Sequence, residues 1–360
     1  MTSSSDLEQI ETRTLSLVRD FSFLHADDPV ANSCKAVADA VAQQAVTSSE
    51  GGKRLRALLT LDAFRAFAPQ DVAERDMDAV LDLACAIEVF QTGALVHDDI
   101  IDESDLRRGR PSAHRALEQA VHSGAIGRGL GLMLGDILAT ACIEITRRSA
   151  SRLPNTDALN EAFLTMQREV EIGQVLDLAV EMTPLSNPEA LANASLNVFR
   201  WKTASYTTIA PLLLALLAAG ESPDQARHCA LAVGRPLGLA FQLADDLLDV
   251  VGSSRNTGKP VGGDIREGKR TVLLADALSA ADTADKADLI AIFEEDCRND
   301  NQVARTIELF TSTGALDRSR ERIAALWGES RKAIAGLELN SEAQRRLTEA
   351  CARFVPESLR

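Results

Sequence analysis

Apolar residues recur every three or four positions along most of this chain, which is the pattern of helices that bury one face or are buried all round. The spacing predicts helices at residues 7–21, 30–45, 54–67, 77–101, 114–121, 130–147, 159–181, 190–219 and 223–251, with several more between 273 and 354. Polar stretches with glycine or proline separate them, and no series of strands lies between. We therefore expect an all-α, single-domain helical bundle over residues 1–360, in which residues 1–12 form a flexible tail.

Composition supports this fold class and narrows the function. Apolar residues make up 46% of the chain but aromatic residues only 4%, which favours packed helices over a β-rich fold. The net charge of −15 argues against a nucleic-acid partner, because phosphates attract a basic surface. The six cysteines lack metal-binding spacing, and neither an export signal nor a membrane span is apparent. These features are typical of a cytoplasmic protein with reduced cysteines.

Two apolar helical segments each carry an aspartate cluster of the same spacing, DDIID at residues 98–102 and DDLLD at residues 245–249. Residues four apart lie one above the other on a helix, so Asp98 pairs with Asp102 and Asp245 with Asp249. Carboxylates so close together repel one another, and Mg²⁺ is the cation that suits hard oxygen ligands beside water and phosphate. One such cluster is compatible with a solvated helix end. Two copies with basic residues downstream favour a site for metal and phosphate.

Basic residues lie close to both clusters. The sequence GGKRLR at residues 51–56 opens a predicted helix, where backbone N–H groups and cations form a seat for an anion, although an ordinary basic helix start has the same composition. Arg107 and Arg108 follow the first cluster and are suited to hold diphosphate oxygens; a solvated basic turn is the alternative. Residues 252–270 contain five glycines and five basic residues, which indicates either a lid over a phosphate or a surface loop.

Two polar pairs on apolar helices are further candidates. Lys202, followed by Thr203, needs an anionic partner or a route to water, because a buried lysine otherwise loses its charge. Gln174 and Asp177 lie three residues apart and are placed either to support metal-bound water or to form a helix-surface pair. The glycines at 127, 129, 131 and 135 follow no strand, so they predict close helix packing and not a nucleotide loop.

Taken in order, these motifs resemble those of the all-trans polyprenyl diphosphate synthases, in particular the geranylgeranyl and farnesyl diphosphate synthases. The resemblance runs from about residue 51 to 271. It includes both aspartate clusters, GKRLR at 52–56, RRG at 107–109, GQVLD at 173–177, Lys202-Thr203, FQLADDLLD at 241–249, Gly258-Lys259, Gly263-Asp264 and GKRT at 268–271. It implies an isoprenoid-synthase bundle with a central substrate cavity. It also implies a homodimer that joins isopentenyl diphosphate to dimethylallyl, geranyl or farnesyl diphosphate.

The family's roles carry over residue by residue. The resemblance implies three Mg²⁺ ions per site, with Mn²⁺ as a substitute, held by Asp98, Asp102, Asp245 and Asp249. The catalytic set it implies is Asp98, Asp99, Asp102, Lys202, Asp245, Asp246 and Lys259. The substrate-binding set is Gly52, Lys53, Arg56, Gln91, Arg107, Arg108, Lys202, Thr203, Gln242, Lys259 and Lys269. Gln91 stands where many members carry a histidine, and glutamine still donates a hydrogen bond to phosphate.

Product length is expected to depend on the residues below the first cluster. One helical turn, about 5.4 Å, separates Asp98 from Gly93 and Ala94, which are too small to stop a growing chain. Phe90 lies one turn further and is predicted to form the floor, which favours geranylgeranyl diphosphate as the product. The alternatives are a farnesyl or longer-chain synthase, a class I terpene cyclase, and a catalytically silent regulatory subunit. The second metal motif of a class I terpene cyclase is not found in this sequence. A silent subunit would be expected to have lost acidic residues, and both clusters are complete here.

Overall fold

The computed structural model describes residues 3–25, 27–252 and 261–360. Its α-helices are α1 (Ser3–Ser22), α2 (Asn32–Ser49), α3 (Leu55–Phe67), α4 (Gln70–Ile101), α5 (Ala113–Val121), α6 (Gly124–Ala150), α7 (Thr156–Val180), α8 (Pro188–Val198), α9 (Ala210–Ala218), α10 (Pro223–Val251), α11 (Gly263–Glu267), α12 (Val272–Ala280), α13 (Thr283–Glu294), α14 (Asp300–Ser312), α15 (Ala315–Ala335) and α16 (Ser341–Ala352). Strands β1 (Leu106–Arg107) and β2 (Arg110–Pro111) form a hairpin, Phe199–Ile209 is π-helical, and Glu357–Leu359 is a 3₁₀ turn.

The predicted all-α fold is confirmed, and most predicted helices agree with the observed ones within a few residues. Two local features differ. The helix predicted at residues 190–219 is α8, the π-helical segment and α9 in succession. The flexible tail is wrong for residues 3–12, which belong to α1. Ile10 is fully buried and Asp6 binds Arg65 through both carboxylate oxygens, so this end of the chain is part of the core.

The residues cluster into two compact units. The first comprises Met1–Leu164 and Pro211–Ala226, and the second comprises Thr165–Ala210 and Arg227–Arg360. The single domain proposed from the sequence stays a prediction.

In the first unit, α6 packs against α4 and α5 through a row of glycines. A Cβ atom on Gly127 would lie 2.5 Å from the backbone of Glu118, and one on Gly131 would lie 2.8 Å from the His114 side chain. Gly135 is covered by His97 in the same way. Only glycine allows helices this close, so the prediction of close packing is confirmed for these three. Gly129 is different, because no atom lies within 4 Å of its Cβ position.

Helices α4 and α6 are long and apolar enough to cross a membrane by length and composition. The most apolar stretch of α4 is 78% buried in the protein, as in a core helix of a soluble bundle, and that of α6 is 44% buried. The absence of a membrane span therefore stays a prediction.

The second unit is built around α10, which packs closely on the π-helical segment. A Cβ atom on Gly238 would lie 2.6 Å from the Ala204 Cα atom, and one on Gly234 would lie 3.0 Å from the Ile209 Cα atom. Helix α12 contributes a nearly continuous buried surface, with Val272, Leu273 and Leu274 all 2% exposed or less. The close approach of α10 fixes the position of the polar residues on both elements relative to each other.

Candidate active site

The first aspartate cluster forms the last turn of α4 in the first unit. Asp98 and Asp102 are partly exposed, whereas Asp99 is buried. Asp99 accepts hydrogen bonds from Arg107 Nε at 2.9 Å and from Arg107 Nη2. Burial raises the pKa of Asp99, and the hydrogen bond from Arg107 opposes that effect. Two carboxylates one turn apart are thus left at the surface, and the third fixes Arg107 beside them.

Arg107 and Arg108 belong to the β1–β2 hairpin. Its two loop residues, Arg108 and Gly109, both have positive φ, at 53° and 75°, as a type I′ turn requires. The turn directs the two arginines to different partners. Arg107 binds Asp99, and Arg108 Nη1 donates to the carbonyl oxygens of Glu50 at 2.7 Å and Gly51 at 3.3 Å.

The predicted anion seat lies between α2 and α3 in the same unit. Gly51 and Gly52 have φ of 72° and 97°, and a Cβ atom on Gly52 would lie 3.1 Å from Arg108 Nη2. Gly52 therefore lets Arg108 lie across the turn. Lys53 is exposed beside it, and Arg56 is buried in the first turn of α3. Gln91 lies two turns before Asp98 on the same face of α4 and is half-buried.

In the second unit, Lys202 lies in the π-helical segment, a helix type that is frequent at functional sites. Its Nζ atom donates to Asp177 Oδ2 on α7 at 2.6 Å. Of the two alternatives raised by the sequence, Lys202 therefore has an anionic partner. A Cβ atom on Gly173 would collide with the Lys202 backbone, so glycine is needed for the two elements to approach. The polar motif of α7 thus serves to place Lys202.

Thr203 belongs to a chain of hydrogen bonds that reaches the second aspartate cluster on α10. Thr203 Oγ1 donates to Gln242 Oε1 at 2.9 Å, and Gln242 Nε2 donates to Asp246 Oδ1 at 2.8 Å. Asp246 is 4% exposed, and its other oxygen has no partner among the residues the structure describes. Burial raises the pKa of Asp246 well above its ordinary value, and the charges of Asp264 and Asp245 add to this effect.

The other two aspartates of the second cluster have different surroundings. Asp245 is exposed. Asp249 accepts backbone hydrogen bonds from Gly263 N at 3.2 Å and Asp264 N at 3.1 Å, so it holds the start of α11. The metal-ligand role of Asp249 stays a prediction.

Sequence reasoning assigned no role to Asp264, which the structure places near the second cluster. Its carboxylate lies 3.4 Å from Lys269 Nζ, and Lys269 also binds Glu267 at 2.8 Å. Within the described part of the predicted loop, the short helix α11 spans Gly263–Glu267, and Gly262 and Gly268 bracket it with positive φ. Gly258 and Lys259 lie outside the described residues, and the lid therefore stays a prediction. The available signal for Asp264 was its place in the glycine-rich segment after the second cluster, fifteen residues beyond Asp249.

The donor set fits magnesium bound together with a phosphate ligand. Among the described residues, no three or more His, Cys, Asp or Glu side chains converge to hold a metal on their own. Mg²⁺ is commonly held by one or two carboxylates with waters and substrate phosphates completing the octahedron. In the first unit, the partly exposed pair Asp98 and Asp102 offers ligands of that kind. In the second unit, the exposed Asp245 and the unsatisfied oxygen of Asp246 do so.

The three residues assigned to product length, Phe90, Gly93 and Ala94, all lie on α4 in the first unit but have different surroundings. Phe90 is buried and makes an edge-to-face contact with Phe163 on α7, with ring centroids 6.5 Å apart. Ala94 is half-buried, one turn before Asp98. Gly93 faces α6 instead, where a Cβ atom would lie 3.2 Å from Gly135 O and from Leu138 Cβ. The Cβ position of Gly93 therefore points into the contact between α4 and α6, and the expectation that a growing chain passes this residue stays a prediction.

Comparison with known proteins agrees with these motifs. The family model described as Polyprenyl synthetase matches residues 38–310. The chain is 31% identical to a geranylfarnesyl diphosphate synthase of Natronomonas pharaonis over 85% of this chain and 86% of that one, and 30% identical to the octaprenyl diphosphate synthase of Escherichia coli over 81% of each.

A solved structure gives the same result for the fold. The crystal structure of geranylgeranyl pyrophosphate synthase from Corynebacterium glutamicum, complexed with isoprenyl diphosphate and magnesium, aligns with a TM-score of 0.84 and 30% identity over 98% of this chain and 99% of that one. The family model covers well over half of the chain, and both motif clusters lie inside it. The chain therefore belongs to the polyprenyl synthetase family and is a prenyltransferase.

Proposed function

We propose that this protein is a magnesium-dependent synthase that condenses isopentenyl diphosphate with an allylic diphosphate to give an all-trans prenyl diphosphate. The observation that carries the proposal is the repeated arrangement of the two clusters. Each has exposed or partly exposed aspartates for metal and a buried one held by a neighbour, Asp99 by Arg107 and Asp246 by Gln242. Family membership supports it, as does the magnesium in the related structure from C. glutamicum.

The proposed reaction begins when the allylic carbon–oxygen bond breaks. Diphosphate leaves with the bonding electrons, and bound Mg²⁺ would stabilise the negative charge on that leaving group. The family resemblance implies about three Mg²⁺ ions per site, with Mn²⁺ as a substitute. Arg107, Lys202, Thr203 and Gln242, with Lys259, are proposed to hold its oxygens. Lys202 reaches a phosphate only by sharing its donors with Asp177, which its three N–H groups permit.

Isopentenyl diphosphate is proposed to bind Gly52, Lys53, Arg56, Gln91 and Arg108. Lys269 is proposed to bind the allylic diphosphate. The alkene attacks the allylic cation and forms the new carbon–carbon bond. A proton then leaves the adjacent carbon, and the released diphosphate, which is negatively charged, is proposed to accept it. The chain's part is to orient two diphosphates and to exclude water from the cation.

The main product is proposed to be geranylgeranyl diphosphate, with Phe90 as the floor. The buried position of Phe90 and its contact with Phe163 support a fixed stop. The relatives named above make products of several lengths, so farnesyl and longer-chain diphosphates are the competing outcomes. We also propose that the protein acts in the cytoplasm.

We further propose a homodimer formed through α6. This helix exposes an apolar surface, the α6 face, in which Ile126, Leu132, Met133 and Ile143 are 55%, 43%, 52% and 39% exposed. A patch of this kind is a usual sign of a protein interface, and the family resemblance names a second copy of the chain as the occupant.

The decisive experiment gives the purified protein isopentenyl diphosphate, each allylic diphosphate in turn, and Mg²⁺, and separates the products by chromatography. Chain elongation to a 20-carbon product is expected. A cyclised hydrocarbon would favour the cyclase alternative, and no product with any primer would favour the silent subunit.

A further inference from the structure

Arg54 lies within the basic segment at residues 51–56, but its guanidinium is turned into the protein. The side chain is 2% exposed, as is that of Glu88 on α4. Arg54 Nε and Nη2 donate to Glu11 Oε2 on α1 at 2.8 and 2.6 Å, Nη1 lies 3.5 Å from Glu88 Oε2, and Nη2 also donates to the Ser49 carbonyl. All three nitrogens of the guanidinium are engaged inside the protein, so Arg54 is not available to a phosphate.

The same contacts fix the backbone of the turn that carries Lys53. Glu11 Oε1 accepts the Gly51 N–H at 2.7 Å while its other oxygen binds Arg54. Glu88 Oε1 accepts the Ala57 N–H at 3.1 Å in the first turn of α3. Arg54 itself has φ of 48°, which is uncommon for a residue other than glycine and is retained only where contacts enforce it. Glu11 and Glu88 therefore hold the turn from both of its ends.

Arg108 depends on this turn as well. It donates to the carbonyl oxygens of Glu50 and Gly51, so the path of the backbone at Gly51 sets where its guanidinium lies. Burial lowers the pKa of Arg108, the charge of Arg54 lowers it further, and Glu88 and Glu11 oppose both effects. The two carboxylates thus also offset the repulsion between neighbouring arginines.

We propose that Glu11, Arg54 and Glu88 are positioning residues for the diphosphate of isopentenyl diphosphate. The inference rests on the proposed function, in which Lys53, Arg56 and Arg108 bind that group. The inference gives α1 a role at this site, because Glu11 belongs to that helix. Glu11 lies before residue 38, where the family match begins. Loss of the Glu11 carboxylate should loosen the turn and move both Lys53 and Arg108. Lys202, Thr203 and Gln242, which are proposed to hold the allylic diphosphate, are held by hydrogen bonds within the second unit and should keep their positions.

The test is steady-state kinetics of Glu11→Gln, with the KM of each substrate measured separately. Glu11 is 30% exposed and glutamine has the same shape, so the variant is expected to fold. The KM for isopentenyl diphosphate should rise about tenfold, since small displacements of binding groups are costly. The KM for the allylic diphosphate should stay unchanged, and Glu11→Asp should recover part of the loss.

The matched control is Asp6→Asn. Asp6 joins α1 to α3 through Arg65 at 2.7 and 2.9 Å, without touching the turn, so its loss weakens the same helix contact. An equal rise in the KM for isopentenyl diphosphate in both variants, or a parallel rise for both substrates in Glu11→Gln, would overturn the inference. Arg54→Lys provides a second variant with the same expectation.

Wild-type activity separates this inference from the proposed function. A wild-type protein that elongates, combined with a Glu11→Gln variant that behaves like the control, overturns the positioning role alone. A wild-type protein that elongates no allylic diphosphate overturns both.

Discussion

Lys202 and Asp177 form an ion pair of 2.6 Å, made possible by the close approach of the π-helical segment to Gly173. The lysine side chain is 26% exposed and the aspartate 34%, so the pair can exchange partners with a bound anion. Asp177 therefore holds the ammonium group in place before a diphosphate arrives.

Lys202→Ala should lower kcat/KM for the allylic diphosphate by about a hundredfold, as expected when a preorganised cation is lost from a developing anion. Asp177→Asn should have a smaller effect, because Lys202 keeps its charge. Initial rates with varied allylic substrate measure both. Lys332→Ala, which removes an exposed lysine from the end of α15, should leave the rate unchanged. Equal losses in Lys202→Ala and this control would contradict the assignment.

Metal dependence should involve the exposed carboxylates of both clusters. Chelation is expected to abolish elongation, and Mg²⁺ or Mn²⁺ should restore it. Asp98→Asn and Asp245→Asn should each raise the Mg²⁺ concentration needed for half-maximal rate, with a loss in kcat of about a hundredfold or more. Asp157→Asn, at an exposed position in the first turn of α7, is the control. Activity that survives chelation would refute the magnesium requirement.

Asp246→Asn should make the substrate-free protein more stable at neutral pH and less active. Burial raises the pKa of Asp246, so the folded state favours its neutral form. The contribution of this group to stability is then fully present below about pH 4, its ordinary range, and is lost as the pH rises through the raised value. Asparagine does not ionise, so the Asp246→Asn variant avoids this loss of stability at neutral pH. Thermal unfolding at pH 7 should show a higher midpoint for the variant, and a lower midpoint would count against the shift.

Product length should respond to Ala94 and Phe90 but not simply to Gly93. Ala94→Phe is expected to shorten the main product and Phe90→Ala to lengthen it, as chromatography of the extracted products would show. Gly93→Phe would meet Gly135 O and Leu138 Cβ on α6, so it should lower the thermal midpoint. A stable Gly93→Phe variant with shorter products would mean that this residue lines the cavity after all.

The α6 face should control association. Met133→Glu places a charge at a residue that is 52% exposed in one copy of the chain, so it should cost little in the monomer and much in a dimer. Sedimentation should show a shift toward monomer without loss of helical content. Leu24→Glu, at a residue that is 37% exposed and does not belong to this face, serves for comparison. Unchanged mass for Met133→Glu would exclude this face as the interface.

The helices and both clusters could be predicted because they depend on local spacing. Apolar periodicity located both ends of α3 and α10 and the C-terminal end of α4, and the DDxxD spacing located the acidic turns. The β1–β2 hairpin was missed since its strands have two residues each and its turn depends on the positive φ of Arg108. The π-helical segment was missed because its residues have the same apolar pattern as an α-helix.

Contacts between distant residues account for the other differences. Glu11 and Gly51 are forty positions apart, and only the folded chain shows that one holds the other. The direction in which Gly93 faces was equally hidden, because a glycine carries no side chain whose polarity would report its surroundings. Arg54 belongs to the basic segment at residues 51–56 but was assigned no role from the sequence, and only the folded chain shows that it is buried between two carboxylates.

The glycine row of α6 limits how this enzyme can be redesigned. Even a methyl group at Gly127 or Gly131 would push α6 away from α5, and at Gly131 it would also crowd Ile100 on α4, two residues after Asp98. Variants meant to make longer or shorter prenyl products should therefore keep the glycine row and alter the surface around Ala94, Phe90 and Phe163. The contact of α6 with α4 and α5 thus sets the positions of these helices, and changes elsewhere in the first unit can be made without moving them.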